Sequence, residues 1–349
     1  MHALPQCRLA RFRSLCLTAR RLTPVAEPLG GRWVSVNDVD SDTGSGFSRP
    51  LASVLPRPIG FVLGGGASFG AVQVGMLQAL AEAGLRPDLV VGTSVGSVNG
   101  ALLAEDPGGA ANRLSHLWLQ ISREDVFPGR AVQRVRTWHQ HRTYLVPSDG
   151  LEAVLARVLS AERFEELSLP FAATATELVS GRVVHIESGP LRPAVLASAA
   201  IPGFYPPVRI DGRELVDGGV VSNVPVDHAL RMGARSIVVL DCGVFGMRLE
   251  PPRSLGETIA QVAAIIMRQQ VVRDVPEVAR QVPVLYLPGP FPLTSSPLDF
   301  TSSARLMEEA YEKSRAFLEQ VNPSRPGLYG HAPLITPPDQ PEPRRRDDS

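Results

Sequence analysis

The sequence predicts an α/β protein with a central, mostly parallel sheet flanked by helices. Short continuous apolar runs, such as 59–63 and 236–240, have the composition of strands that are buried on both faces. Segments with apolar residues at helical spacing alternate with these runs, and a β-α-β-α order is typical of parallel sheets covered by helices. A turn of three glycines, Gly64–Gly66, follows the first run directly, as expected where a strand leads into a helix.

The predicted elements follow one another along residues 55–322, which we expect to form one domain. Strands are expected at 59–63, 88–91, 171–176, 182–186, 207–210, 214–216, 236–240 and 284–287. Helices are expected at 67–84, from Ser94 to 104, and at 110–121, 150–159, 191–200, 225–232, 254–270 and 302–321. The pair Asp211-Gly212 has the turn chemistry of a hairpin. Ser254 and Glu257 have the spacing of a capping box.

Both ends of the chain are expected to be disordered tails. Residues 1–53 begin with arginines and continue with Gly, Ser, Asp and Pro, and residues 323–349 are rich in Pro and charge. The arginines at the start fit either a targeting segment or a start codon assigned too far upstream. The motif-bearing core is expected at 58–242.

Composition excludes several classes of function. The 35 basic and 35 acidic residues balance, which argues against a nucleic-acid-binding surface. The three cysteines lack the spacing of a metal site or a disulfide framework, so no metal is expected. No apolar run approaches the ~20 residues that a bilayer-spanning helix needs. We therefore expect a cytoplasmic protein, soluble or at most peripheral to a membrane.

The central motif is the stretch around Ser94. A short apolar run ends at Val91, Gly92–Gly96 fit the pattern G-x-S-x-G, and small and apolar residues then continue at helical spacing. Strand, sharp turn and helix in this order form a nucleophile elbow, in which the serine hydroxyl is exposed and Gly92 and Gly96 permit close packing. We therefore take Ser94 as a candidate nucleophile, although the chain has 31 glycines and the pattern can arise by chance.

The glycines at 64–66 lie at the carboxyl end of the first strand, where open parallel sheets bind ligands. Consecutive glycines can turn backbone N–H groups toward a negative charge, so an oxyanion hole and a phosphate-binding loop are both candidates. The phosphate alternatives fail on spacing, because Ala67 and Phe69 stand where dinucleotide-binding glycines are needed and the only lysine is Lys313. A purely structural role for the glycines stays open.

A serine nucleophile needs a base, and Asp217 and His228 are the candidates. Asp217 ends an apolar strand and precedes Gly218 and Gly219, so its carboxylate is held on a tight turn. An apolar pocket would raise its pKa and improve proton acceptance. The alternative is that Asp217 only caps a turn. His228, eleven residues later on a predicted helix, fits a triad but also an ordinary helical histidine.

The segment 110–160 is expected to be a helical insert with breaks. Its central part mixes large apolar side chains, such as Phe127 and Trp138, with arginines. Such a composition fits a lid or a lipid-facing surface, but also an ordinary packed insert with a basic, solvated face. We favour the second interpretation.

Taken together, these motifs resemble those of the patatin-like phospholipase family. The matching pieces occur in the family's order, at 62–70, 92–96, 199–203 and 217–219, and the resemblance covers roughly residues 58–242. It implies a three-layer α/β fold and a Ser–Asp dyad with Ser94 as nucleophile and Asp217 as base. It also implies that Gly64, Gly65 and Gly66 supply oxyanion N–H groups.

The resemblance implies hydrolysis of lipid acyl esters, of the phospholipase A type, without a cofactor and with a lipid or other acyl ester as partner. The alternatives are an esterase, thioesterase or acyltransferase with the same dyad, or a catalytically silent lipid-binding scaffold. One departure concerns Phe69, which stands where many members of the family have Arg or Lys. This departure leaves the lipid class open.

Overall fold

Strand β1, Ile59–Leu63, lies at the centre of the sheet, and each of its five residues is buried. The structure is a computed structural model that describes residues 51–129, 131–243, 251–290, 293 and 295–330. β1 pairs in parallel with β2, Leu89–Thr93, on one side and with β7, Ser236–Leu240, on the other. A strand with parallel neighbours on both sides and helices on both faces needs a continuous apolar run, which is what 59–63 provides.

Within the described residues the sheet has nine strands, and most of its pairs are parallel. The remaining strands are β3 (Phe171–Glu177), β4 (Val183–Ile186), β5 (Val208–Ile210), β6 (Arg213–Asp217), β8 (Pro283–Tyr286) and β9 (Gly327–Tyr329). The order is β5-β6-β3-β2-β1-β7-β8-β9, with β4 also paired to β3. The run from β3 to β9 is parallel, whereas β4, β5 and β6 form antiparallel pairs at one end.

Helices cover both faces of this sheet. In chain order they are α1 (Leu51–Val54), α2 (Gly70–Glu82), α3 (Val95–Glu105), α4 (Ala110–Gln120), α5 (Arg123–Val126), α6 (Ala131–His141), α7 (Asp149–Val158), α8 (Leu191–Ser198), α9 (Val226–Arg231), α10 (Leu255–Ala279) and α11 (Ser303–Gln320). Side chains alternate between two apolar cores, since Phe61 and Leu63 pack with α2, α3 and α11, whereas Val62 packs with α9 and α10. The result is a three-layer α/β architecture.

The predicted fold class is confirmed, and the eight predicted strands occur within two residues of their expected bounds. Three differences stand out. α10 continues to Ala279 through Pro276, nine residues past its expected end, because Val271, Val275 and Val278 keep packing on the sheet. The expected domain end at 322 is too early, because β9 pairs in parallel with β8. The segment before α7 contains two further helices, α5 and α6.

The predicted tails fall mostly outside the described residues, which leave out 1–50 and 331–349. Residues 51–53, assigned to the first tail, belong to α1. In the part of the chain that the structure describes, no helix combines the length and apolarity that crossing a bilayer requires.

Candidate active site

Ser94 occupies the sharp turn between β2 and α3. Its backbone has φ 55° and ψ −126°, a conformation that costs strain for a residue with a side chain. The residues two positions before and after it, Gly92 and Gly96, must be glycine. A Cβ on Gly92 would lie 2.4 Å from the Gly96 carbonyl oxygen, and a Cβ on Gly96 would lie 2.2 Å from the Leu63 carbonyl oxygen. Without these two Cβ atoms, α3 packs directly against the carboxyl ends of β1 and β2.

This packing makes Gly96→Ala a severe substitution. The new methyl group would overlap the backbone of Leu63 and Gly64, which cannot move without shifting β1. We expect a loss of about 3 kcal/mol or more in the free energy of unfolding, measured by urea denaturation. The matched control is Gly256→Ala in α10, where a Cβ would have no atom within 4 Å. Equal unfolding midpoints for the two variants would contradict this account.

A hydrogen-bond chain holds the strained turn in place. The Ser94 N–H donates to the Ser198 hydroxyl at 3.0 Å, and that hydroxyl donates to the Thr174 carbonyl oxygen at 2.6 Å. Ser198 is fully buried at the end of α8, and Thr174 lies on β3 beside Thr93. Ser198 was not among the predicted site residues, because its only signal in the sequence is a serine in a run of small helical residues.

Asp217, the last residue of β6, lies beside Ser94. The Ser94 hydroxyl donates to Asp217 Oδ2 at 2.6 Å, while the Gly219 N–H donates to Asp217 Oδ1 at 2.8 Å. β6 pairs with β3 so that Asp217 faces Ala175, one strand away from the elbow. A Cβ on Gly218 would lie 2.3 Å from the Thr174 carbonyl oxygen, so only glycine fits there. The carboxylate thus both caps its own turn and accepts from Ser94.

Burial determines the electrostatics of this pair. Asp217 is 5% exposed, and desolvation raises its pKa to about 6, against the opposing effect of the hydrogen bonds from Ser94 and Gly219. The carboxyl is therefore ionised at neutral pH but binds a proton far more readily than an exposed aspartate does. That is the property a general base requires.

The glycine turn lies directly over Ser94, since a Cβ on Gly65 would be 3.0 Å from the Ser94 Cβ. The N–H of Gly64 already donates to the Leu240 carbonyl oxygen at 3.1 Å, so the expectation that all three glycines offer oxyanion donors fails at Gly64. The N–H of Gly65 makes a longer bond, 3.4 Å, to Asn223. Among the described residues, no acceptor binds the N–H of Gly66 or of Val95, the first residue of α3.

Asn223 and Gln270 connect this turn to the segment after Asp217. Asn223 donates through Nδ2 to the Gly65 carbonyl oxygen at 3.4 Å, and its N–H donates to Gln270 Oε1 at 2.8 Å. Gln270, on α10, donates through Nε2 to the carbonyl oxygens of Val220 and Gly219 at 2.9 and 3.3 Å. These two buried amides, neither of which the sequence analysis singled out, hold the glycine turn, the segment 218–223 and α10 together.

His228 lies in a separate cluster. Its Nε2 is 2.8 Å from Glu187 Oε1, and its ring stacks on that of His185 with centroids 3.6 Å apart. Burial lowers the pKa of both imidazoles, that of His185 to about 4. The hydrogen bonds of Asp217 run to Ser94 and Gly219, so the structure does not assemble the alternative triad.

A small apolar cavity of about 60 Å³ opens beside Ser94. Aromatic rings build much of its wall, with Trp118 stacked on Phe300 and Phe127 packed against Phe300 and Tyr205. Its lining comprises Ala67, Ser94, Val95, Val98, Leu117, Trp118, Ile121, Val126, Phe127, Leu151, Val154, Ala199, Ile201, Tyr205 and Phe300. Much of it comes from the helical insert, which therefore packs on the site. An apolar cavity next to a nucleophile suits a hydrocarbon chain.

Phe69 is fully buried in the core against α2, α3 and α11. The position where related sequences are expected to have a cation thus serves packing in this chain. The backbone N–H groups of Gly66 and Val95 do not depend on the side chain at position 69.

An elbow serine bonded to a buried carboxylate, at the carboxyl edge of a parallel sheet, defines a class of proteins equipped for acyl transfer through serine. A family model described as "Patatin-like phospholipase" matches residues 61–230. Residues 61–230 of this chain are thus a region of the patatin-like phospholipase family.

The similar curated proteins are much longer than this chain. Patatin-like phospholipase domain-containing protein 7 of Rattus norvegicus is 33% identical over 205 residues, which are 58% of this chain and 15% of that protein. Patatin-like phospholipase domain-containing protein 6 of Homo sapiens is 32% identical over 219 residues, which are 58% of this chain and 14% of that protein. Lysophospholipase NTE1 of Mycosarcoma maydis is 29% identical over 282 residues, which are 78% of this chain and 14% of that protein. The chain thus spans about 15% of the length of these relatives.

Among solved structures, VipD from Legionella pneumophila aligns over 76% of this chain and 67% of that chain. The TM-score is 0.40 and the sequence identity 14%.

Proposed function

We propose that this protein hydrolyses lipid acyl esters, with Ser94 as nucleophile and Asp217 as general base. The observation that carries the proposal is the 2.6 Å hydrogen bond from the Ser94 hydroxyl to Asp217 Oδ2. It gives the serine proton a defined acceptor, and the raised pKa of Asp217 makes that acceptor effective near neutral pH.

The reaction follows from the positions of these groups. Ser94 Oγ attacks the acyl carbonyl carbon while its proton passes to Asp217 Oδ2. The carbonyl oxygen becomes an oxyanion, for which the N–H groups of Gly66 and Val95 are the available donors, with Gly65 as a further candidate. Asp217 returns the proton to the leaving alcohol, which leaves an acyl-enzyme on Ser94. Water then attacks the acyl-enzyme, Asp217 takes its proton, and that proton returns to Ser94 as the fatty acid departs.

The cavity supports a substrate with a single hydrocarbon chain next to the scissile ester. Its lining is almost entirely apolar, and Ser94 lies at its wall. One relative carries the name lysophospholipase, and we extend that activity to this chain as part of the proposal. We place the enzyme in the cytoplasm, where it meets its substrate at a membrane surface.

The proposal is tested by labelling with a fluorophosphonate at a series of pH values. We expect the label on Ser94, and we expect its rate to rise about tenfold per pH unit below a midpoint near the Asp217 pKa of about 6 and to level off above it. The sign follows because only the ionised carboxylate accepts the serine proton. Mass spectrometry locates the label, and release of fatty acid from lysophosphatidylcholine tests the substrate.

The control for this profile is His228→Ala, because an ordinary histidine titrates in the same range. The His228→Ala protein should retain both the labelling rate and the midpoint. A label on another residue, or a midpoint that disappears with His228, would refute the proposed pair.

A further inference from the structure

The first half of α10 carries an exposed apolar stripe. Leu255 is 78% exposed, Ile259 61%, Val262 49% and Ile266 48%, values far above those of the core. At about 3.6 residues per turn, a spacing of four, three and four residues puts these four side chains on one face of the helix.

The stripe lies on the side of α10 that points away from the protein. The buried apolar residues Ala264, Val271 and Val275 fall on the opposite side, whereas the buried Gln270 lies nearer the stripe. The stripe also has a defined end. Beyond Ile266 the same exposed face continues with Arg273, Glu277 and Arg280, so apolar contact is confined to the first half of the helix.

The striped half begins at the edge of the sheet that holds the active site. α10 leads into β8, which is parallel to β7, so the helix starts at the carboxyl edge and runs back to the amino edge. Along α10, Gln270 is the residue that lies beside the site, because it donates hydrogen bonds to the carbonyl oxygens of Gly219 and Val220. The 15 residues before Gln270 span about 22 Å at 1.5 Å per residue. Residues 254–260 are exposed on all sides, as expected for a projecting helix.

The size of the stripe favours a lipid surface over a second copy of the chain. Its exposed side chains present roughly 500 Å², whereas a stable pair of proteins buries about 800 Å² on each partner. The opposite side of this half carries Glu257, Gln261 and Arg268. A helix with one apolar face, one polar face and a charged end is typical of helices that lie in a membrane interface.

A second element at the same edge fits a lipid plane. β3 is parallel to β2, so the turn that follows β3 also projects from the carboxyl edge. Two apolar side chains in this turn are exposed, Leu178 at 52% and Val179 at 88%. Apolar groups on separate elements of one edge are expected if that edge meets a flat apolar surface.

We propose that the exposed stripe of α10, from Leu255 to Ile266, docks the protein on the surface of a phospholipid bilayer beside the Ser94 site. This inference rests on the proposed function for its choice of lipid as the partner. It assigns the contact with lipid to one face of α10. The same helix is joined to the segment after Asp217 by the hydrogen bonds of Gln270.

The test is flotation with vesicles of phosphatidylcholine and phosphatidylglycerol in equal parts, compared with phosphatidylcholine alone. The test variant is Ile259→Gln, Val262→Gln, Ile266→Gln, whose new side chains are good helix formers at exposed positions. We expect it to lower the vesicle partition coefficient by about tenfold or more. The control, Glu277→Gln with Arg280→Gln, changes the same helix face beyond the stripe without altering net charge, and it should bind as the parent does.

Each partition experiment uses the chain with Ser94→Ala, so that the vesicles stay intact. Hydrolysis of a soluble short-chain ester is measured separately in proteins that keep Ser94, and the triple variant should match the wild type there. If the wild-type protein did not hydrolyse the ester, the proposed function would be refuted but the docking would not. Failure of the parent to bind vesicles, or equal binding by the triple variant, would overturn the docking alone. A dimer in light scattering that the triple variant dissociates, with unchanged vesicle binding, would assign the stripe to a second copy.

Discussion

Ser94→Ala should reduce kcat for ester hydrolysis by about 10⁴-fold or more, the largest effect expected of any single substitution in this chain. The substitution removes the atom that forms the acyl-enzyme in the proposed mechanism, and in the part of the chain that the structure describes no other hydroxyl donates to the Asp217 carboxylate. KM should change little, because the cavity wall stays in place. The measurement is steady-state hydrolysis of a short-chain p-nitrophenyl ester and of lysophosphatidylcholine.

The matched control is Ser314→Ala. Ser314 is also a fully buried serine, it lies on α11, and its hydroxyl has no hydrogen-bond partner among the described residues. Removal of an unpaired hydroxyl should leave both activity and stability near the wild-type values. If a folded Ser94→Ala protein kept wild-type turnover, the nucleophile would have to be sought elsewhere.

Asp217→Asn should reduce kcat by about 10³- to 10⁴-fold while the protein stays folded. An asparagine can still accept the Gly219 N–H through Oδ1, so the turn keeps its cap. Its Nδ2 group donates hydrogen bonds, however, and cannot accept the proton of Ser94. The same substitution should also abolish the rise in fluorophosphonate labelling through pH about 6, because the titrating group is gone.

The Asp217→Asn variant should be more stable than the wild type at neutral pH. The folded pKa of Asp217, about 6, is above its ordinary value of 3.8, so the carboxyl opposes folding increasingly as the pH rises above 3.8 and fully once the pH exceeds about 6. The difference corresponds to about 3 kcal/mol at neutral pH and should fall to about 0.5 kcal/mol at pH 4, where the folded carboxyl is protonated and the unfolded one is only partly ionised. Urea unfolding of both proteins at the two pH values measures it. At each pH the variant is compared with the wild type in its free energy of unfolding. If the variant's gain over the wild type were smaller at neutral pH than at pH 4, Asp217 could not be a desolvated carboxylate.

The sequence was sufficient to place Ser94 and Asp217 because both lie in short local patterns. Ser94 follows β2 and Asp217 ends β6, and each lies within two residues of glycines that its tight turn requires, so a few nearby residues carry the information. The strands were predictable for a similar reason, since a parallel strand buried on both faces must be largely apolar, as 59–63 and 237–240 are.

Features that depend on distant contacts were not predictable. Ser198 contacts Ser94 across 104 residues of sequence, and the partner of the Gly64 N–H is Leu240, so neither contact leaves a local pattern. The cavity draws its lining from several helices and from Phe300. β9 consists of three residues in a Pro-rich segment, and its pairing with β8, not its own composition, makes it a strand.

The contact between Gly96 and the end of β1 has a consequence for how the site can vary. The missing side chain at position 96 leaves α3 against the carbonyl oxygens of Leu63 and Gly64, the residues that lead into the glycine turn. The elbow that carries Ser94 and the turn that carries the amides above it are therefore in direct backbone contact. A shift of one would meet the backbone of the other, so this contact limits how far Ser94 Oγ and the amides of the glycine turn can shift relative to each other. Substitutions elsewhere in the cavity can then alter which acyl chain fits without disturbing that contact.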